Sequence, residues 1–150
     1  MEKAEIEDAI RGCVERCSAH LIDLLVRGTR GSAVVEVFID TEEGVTSDLC
    51  SLVSHDVARL IDRSGWFQGT YRLDVSSPGI DRPLRYPWQY KKHIGRLLGI
   101  RTRASGGGAQ RSGRLTAVRE NGIMIAAKEG SPEELVLFNE LTEAVVRTPW

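Results

Sequence analysis

No apolar run in this chain approaches the ~20 residues that a membrane-spanning helix needs. The opening segment MEKAEIEDAI is charged and acidic where a secretion signal carries a hydrophobic stretch, so a cytoplasmic protein is the expectation. Cysteine is scarce: Cys13, Cys17 and Cys50 are the only three. Cys13 and Cys17 form a C-x3-C pair without a second pair of ligands, and His20, His55 and His93 are scattered with no HExxH spacing. The thiols are therefore expected to act as small buried hydrophobes, and no metal or other cofactor is expected. Catalytic signatures are missing as well. Ser76 and Ser77 lack a G-x-S-x-G elbow, and neither a P-loop nor a dinucleotide-binding glycine pattern occurs. Asp40, Glu42 and Glu43 form an acidic loop before Gly44, without EF-hand spacing and without a neighbouring histidine or nucleophile. That loop reads as a solvated turn, and the chain does not read as an enzyme.

What the chain has is a division of charge. Its 150 residues suffice for one ordinary domain or two small ones, and 41% hydrophobic with 27% charged residues is a globular composition. Residues 1–80 carry 8 Lys/Arg against 14 Asp/Glu, a net of −6, while residues 81–150 carry 12 against 7, a net of +5. The overall charge of −1 conceals an acidic half joined to a basic half. Such asymmetry points to two domains, one of which meets nucleic acid.

The change of character falls inside YRLDVSSPGIDRPLRY, residues 71–86. Tyr71, Leu73 and Val75 alternate with Arg72 and Asp74, the period of a half-buried strand. Ser76-Ser77-Pro78-Gly79 stops it: proline presets φ for the first central position of a turn, and glycine supplies the positive φ of a type II turn. Pro83 and Pro87 bias Arg82 and Tyr86 toward extended backbone, which makes the connector stiff.

Periodicity organises the remainder. Ile6, Ala9, Ile10, Cys13, Val14 and Cys17 make the stripe of an amphipathic helix. Leu21–Val26 reads as a strand of poor alternation, Gly28-Thr29-Arg30-Gly31 as a turn, and Ala33–Ile39 as a second strand. GTRG matches the GxxG loop by which KH domains clamp a nucleic-acid backbone, but that loop joins two helices and this one joins two strands. Thr46 or Ser47 caps a second helix with the stripe Leu49, Leu52, Val53, Val57, Leu60 and Ile61, and Gly65 lies just past its end. The order helix–strand–strand–helix–strand implies two helices on one face of a three-stranded sheet. Beyond the connector, residues 87–94 read as a short helix and 97–103, 113–119, 122–127, 134–138 and 142–147 as strands, with Asn121-Gly122 as a hairpin turn. Five short strands in so few residues fit a small closed barrel, and the run 105–109 reads as a mobile loop. The fold class is therefore α+β, with domains over 1–82 and 83–150.

Between residues 81 and 119 stand ten Lys/Arg and one acidic residue, Asp81. Arg82, Arg85, Lys91, Lys92, Arg96, Arg101, Arg103, Arg111, Arg114 and Arg119 span the connector, the short helix and the first hairpin. Guanidinium groups suit phosphate because they donate two parallel hydrogen bonds. Arg101 and Arg103, two apart on a strand, should share a face. RNA contact is the favoured reading of this cluster, and a solvated face is the other. Trp88 and Tyr90 either stack on unpaired bases or pack at the domain junction, with packing favoured.

Three blocks, VEVFIDTEEGVTSDLCSLVSHDVARLID (35–62), YRLDVSSPGIDRPL (71–84) and IGRLLGIRTR with SGRLTAVRENGIMI (within 94–125), carry a resemblance to the RimP ribosome maturation factor family of bacteria. The VSSPGxDRPL string in the second is its most specific part. The resemblance implies a two-domain cytoplasmic protein with a C-terminal SH3-like (Sm-like) barrel that binds the immature or free small ribosomal subunit and assists its assembly without catalysis. It also implies contact with rRNA and with a basic ribosomal protein near the decoding centre, for which Asp40, Glu42 and Glu43 are candidates. A monomer without a membrane or small-molecule ligand is expected. Where the family often has an aromatic before the Gly113-Arg114-Leu115 strand, this chain has Arg111-Ser112, so no stacking role carries over there. The alternative is a general Sm-like protein acting on small or messenger RNA.

Overall fold

The computed structural model describes residues 3–28, 31–67, 69–79, 82–103, 109–128 and 130–147. The chain divides at the Pro78–Gly79 turn into two compact units, residues 1–78 and 79–150.

In the first unit, helix α1 (Lys3–Arg16) buries Ile6, Ile10, Cys13 and Val14, the stripe that the spacing implies. It stops where Ser18 takes a left-handed φ of 64°, a place more often held by glycine. Strand β1 (His20–Arg27) runs antiparallel to β2 (Gly31–Asp40). Their register shifts between Leu21 and Asp23, so Ile22 is the extra residue of a β-bulge, and this bulge is why β1 alternates poorly in sequence. Helix α2 (Ser47–Ser64) then crosses over to β3 (Gly69–Ser76), which pairs parallel with β2 to give the order β1-β2-β3. Thr46 is the N-cap, its hydroxyl accepting from the Leu49 N–H at 3.1 Å, and Gly65 closes the helix with φ 71°. Both helices share one core with Val35, Val37 and Ile39 of β2, all three wholly buried, and with Leu73 and Val75 of β3 packed at its margin. On the other face of the sheet lie Glu36 and Asp74, each paired with an arginine: Arg27 at 2.8 Å and Arg72 at 3.2 Å.

The second unit differs in detail from the sequence reading. Residues 87–94 form two consecutive 3-10 turns, Pro87–Gln89 and Lys91–His93, in place of one short helix. Strands β4 (Leu97–Thr102), β5 (Ala109–Val118), β6 (Gly122–Ala126), β7 (Glu133–Leu137) and β8 (Leu141–Arg147) form one antiparallel sheet in the order β7-β6-β5-β4-β8. Strand β5 starts four residues before the reading, at Ala109, because Gln110, Arg111 and Ser112 pair with β4 despite their polarity. Leu98, Ile100, Leu115, Ile123, Ile125, Val136, Ala144 and Val146 fill its core together with Tyr90. The fold is α+β, and the described pairings make a five-stranded sheet; closure into a barrel is not among them. The loop expected over 105–109 lies, apart from the backbone of Ala109, outside the described residues, as do Thr29 and Arg30 of the first turn.

Asn121 does lie in the turn between β5 and β6, but Gly122 is already the first residue of β6, and neither has a positive φ. The turn is closed by the Arg119 N–H donating to the Gly122 carbonyl at 2.7 Å. Glycine is required there for another reason. A Cβ at position 122 would stand 2.3 Å from the Val136 carbonyl oxygen, so the side-chain-free residue is what lets β7 approach.

Candidate nucleic-acid interface

The sheet register decides which arginines share a face. Leu98 and Ile100 point into the core, so the alternate positions Leu97, Gly99 and Arg101 point outward. Leu97 stands opposite Arg114 of β5 and opposite Arg147 of β8, giving a row Arg147–Leu97–Arg114 across three strands. The Arg147 guanidinium lies over Gly99, with Nε 2.4 Å from where a Cβ would be, so the absence of a side chain at 99 makes room for it. Arg101 occupies the same face two residues beyond, opposite Glu143 and Gln110. Arg101, Arg114 and Arg147 are all exposed, and the Arg114 guanidinium donates to the Gly95 carbonyl, which fixes its direction.

Arg147 was missed in the sequence, because it lies outside the dense basic run; the alternation of β8 across from β4 is the signal that finds it. Two expected members behave differently. Arg103 lies past the end of β4, after a register shift between Arg101 and Thr102, so strand parity no longer puts it on the face of Arg101. Its backbone N–H donates to the Glu140 carbonyl at 2.8 Å, and its side chain is exposed. Arg111 stands opposite core-facing Ile100, at the rim of the sheet, where its guanidinium grips Glu134 with both nitrogens. The hydrogen bond from Arg111 is the main cause holding the Glu134 carboxyl below its ordinary pKa. Arg111 is thus neutralised locally, a pairing that linear spacing cannot reveal.

The connector is ordered by the second unit. The Leu84 N–H donates to the Ala144 carbonyl at 2.7 Å, and the buried Gln89 side chain accepts from the N–H groups of Arg85 and Tyr86, both at 2.8 Å. Arg85, Lys91, Arg96 and Arg119 are exposed, and Arg82 and Lys92 are half-buried. Lys92 Nζ lies 5.9 Å from the centre of the Trp88 ring, which itself stacks parallel on Tyr86 at 5.8 Å. Tyr90 belongs to the core: it is 4% exposed, packs against Phe138 at 5.6 Å, and burial pushes its hydroxyl up to about 12. A base cannot reach it.

The acidic loop divides likewise. Asp40 is 5% exposed, and its carboxylate accepts from the N–H of the next residue, Thr41, at 2.8 Å. Glu42 and Glu43 are exposed. At the seam, Ser76 ends β3, Ser77 and Pro78 follow, and Gly79 has the positive φ, 75°, that the turn requires. Cys13 and Cys17 are buried in the first core and Cys50 is packed at its margin. Desolvation raises all three thiols, Cys17 to about 11. Among the described residues, no group of three or more His, Cys, Asp or Glu side chains is arranged to hold a metal ion, and no helix is long and apolar enough to cross a membrane.

The first unit also answers to a known family. Residues 9–81, from α1 through the seam turn, match the family model of the RimP N-terminal domain. The family is one of non-catalytic ribosome assembly factors associated with the small subunit. By this match the chain carries a RimP N-terminal domain, the domain that marks the RimP ribosome maturation factor family.

Proposed function

We propose that this protein binds the free, immature small ribosomal subunit and favours its maturation without catalysis. The outward face of β4, β5 and β8 holds rRNA through Arg101, Arg114 and Arg147, with Arg96 and Arg103 beside it. Arg82, Arg85, Lys91 and Lys92 extend the contact along the connector. The observation that carries this reading is the row Arg147–Leu97–Arg114: two exposed guanidiniums on separate strands, aligned by register, with Arg101 on the same face. Phosphates on an RNA backbone are met by such an array without base-specific contacts. The first unit, net −6 through its 14 Asp/Glu against 8 Lys/Arg, presents Glu42 and Glu43 to a basic ribosomal protein.

The physical effect follows from differential affinity. A factor that binds one conformer of the nascent particle more tightly than its competitors shifts the population toward it, and consumes no nucleotide. A cytoplasmic monomer fits this role.

The test is co-sedimentation of the full chain with separated ribosomal particles and with bulk RNA. Selective recovery with free small subunits supports the reading. Equal recovery with any RNA favours a general RNA-binding protein instead.

A further inference from the structure

The acidic unit contains a local reversal of its charge. Where the C-terminal part of α2 passes α1, a hollow of ≈ 200 Å³ is lined by Cys13, Arg16, Asp56, Arg59, Leu60 and Arg63. Arg59 and Arg63 are one turn apart on α2 and so project to the same side, and Arg16 is the last residue of α1. Three arginines thus line one small volume. The single carboxylate there, Asp56, accepts from the Cys17 thiol at 3.3 Å. Among the described residues, none of the three arginines forms a salt bridge with a carboxylate. The hollow therefore carries an excess of two positive charges inside a unit whose net charge is −6.

We infer that this hollow is a second RNA contact, seating one backbone phosphate between Arg16, Arg59 and Arg63. It rests on the reading that the protein binds small-subunit rRNA, and it adds that the acidic unit touches RNA too. The chemistry favours a phosphate over other occupants. Guanidinium forks match phosphate oxygens in pairs, whereas the walls supplied by Cys13 and Leu60 offer nothing to the edges of a base. A volume of ≈ 200 Å³ admits a tetrahedral anion and is small for a nucleoside. The surrounding carboxylates make the site selective: a strand that strays from the hollow meets repulsion, so the acidic unit fixes register as well as affinity.

The competing explanation is that arginines at helix C-termini merely complement the helix dipoles. The two accounts differ in what they predict for the salt dependence of binding. The experiment compares the full chain with its Arg16→Gln/Arg59→Gln/Arg63→Gln variant, using a transcript of small-subunit rRNA titrated from about 50 to about 300 mM KCl. Loss of one phosphate contact should lower the slope of log K against log salt by about 0.7 to 0.9 and weaken binding several-fold at low salt. An unchanged slope overturns the inference, whether the variant melts normally or earlier. Because glutamines in the last turns can destabilise the helices, a second measurement uses the unaltered protein. Inorganic phosphate, followed by the NMR signals of the arginine Nε–H groups, should shift those of Arg16, Arg59 and Arg63 together; no common shift also overturns it. Charge reversal at Arg101, Arg114 and Arg147 provides the distinguishing arm. If that variant binds as the parent does while the hollow variant loses slope, the sheet face is wrong and the hollow stands. The reverse result removes the hollow and keeps the face.

Discussion

The side-chain oxygen of Gln89 accepts the backbone N–H of Arg85 at 2.8 Å, and the next N–H, that of Tyr86, at the same distance. One buried amide, 2% exposed, thereby fixes the extended path of the connector where it enters the first 3-10 turn. Gln89→Ala leaves two backbone donors without their acceptor. A loss of about 2 kcal/mol in the second unit is expected, since a stranded buried donor costs about 1–3 kcal/mol and these two, being only part-buried, fall at the low end. Urea unfolding followed at the tryptophans measures it, and a loss under about 0.5 kcal/mol would contradict the role given to Gln89.

Glycine is required at positions 79 and 122 for different reasons, and substitution should separate them. Gly79 has φ 75° with nothing within 4 Å of a built Cβ, so Gly79→Ala meets only the backbone preference, about 1–2 kcal/mol. At Gly122 a Cβ falls 2.3 Å from the Val136 carbonyl oxygen and 2.9 Å from the Leu137 Cα, so β6 and β7 must part. Gly122→Ala should cost about 3 kcal/mol or more. Thermal melting of the two variants gives the comparison, and equal losses would refute it.

Tyr90 makes alkaline stability measurable. Its folded pKa is raised to about 12 by burial, so the folded protein keeps the proton while the unfolded chain releases it near 10. The stabilisation is present in full below pH ~10 and is lost as pH rises toward 12. Tyr90→Phe removes the ionisation. The variant should lose less stability than the parent between pH ~10 and ~12, read as the fall in melting temperature with pH.

Arg111 and Glu134 give a prediction of opposite sign. Glu134 has its pKa lowered mainly by the hydrogen bond from Arg111, so the pair stabilises above the ordinary carboxylate pKa and that contribution fades as pH falls through the folded value. Both side chains are substantially exposed, which limits the contribution to about 0.2–1 kcal/mol. Arg111→Gln should therefore cost little stability at neutral pH and still less in acid. Because Arg111 already has its counter-charge, the substitution should also weaken RNA binding less than Arg114→Gln does, as filter binding would show.

Much of this was legible in the sequence, and the residues say why. The stripe of α1, the Thr46 cap and the Pro78-Gly79 turn are local signals, each decided by a few neighbouring residues. The bulge at Ile22, the pairing of Arg111 with Glu134 and the row that brings Arg147 beside Leu97 depend on strand register, which spacing along the chain does not encode. Arg103 illustrates the limit: two residues from Arg101 implies a shared face only while the strand continues, and β4 stops at Thr102. Among the acidic residues, burial of Asp40 but not of Glu42 or Glu43 likewise follows from where β2 ends.

The central claim is that small-subunit RNA is held on the outward face of β4, β5 and β8. Its most direct test is the affinity of the Arg101→Glu/Arg114→Glu/Arg147→Glu variant for free small subunits at moderate salt, with melting measured alongside. All three side chains are exposed, so the variant should melt close to the parent. Losing three phosphate contacts should weaken binding at least about tenfold. A folded variant that binds free small subunits as tightly as the parent would contradict the account.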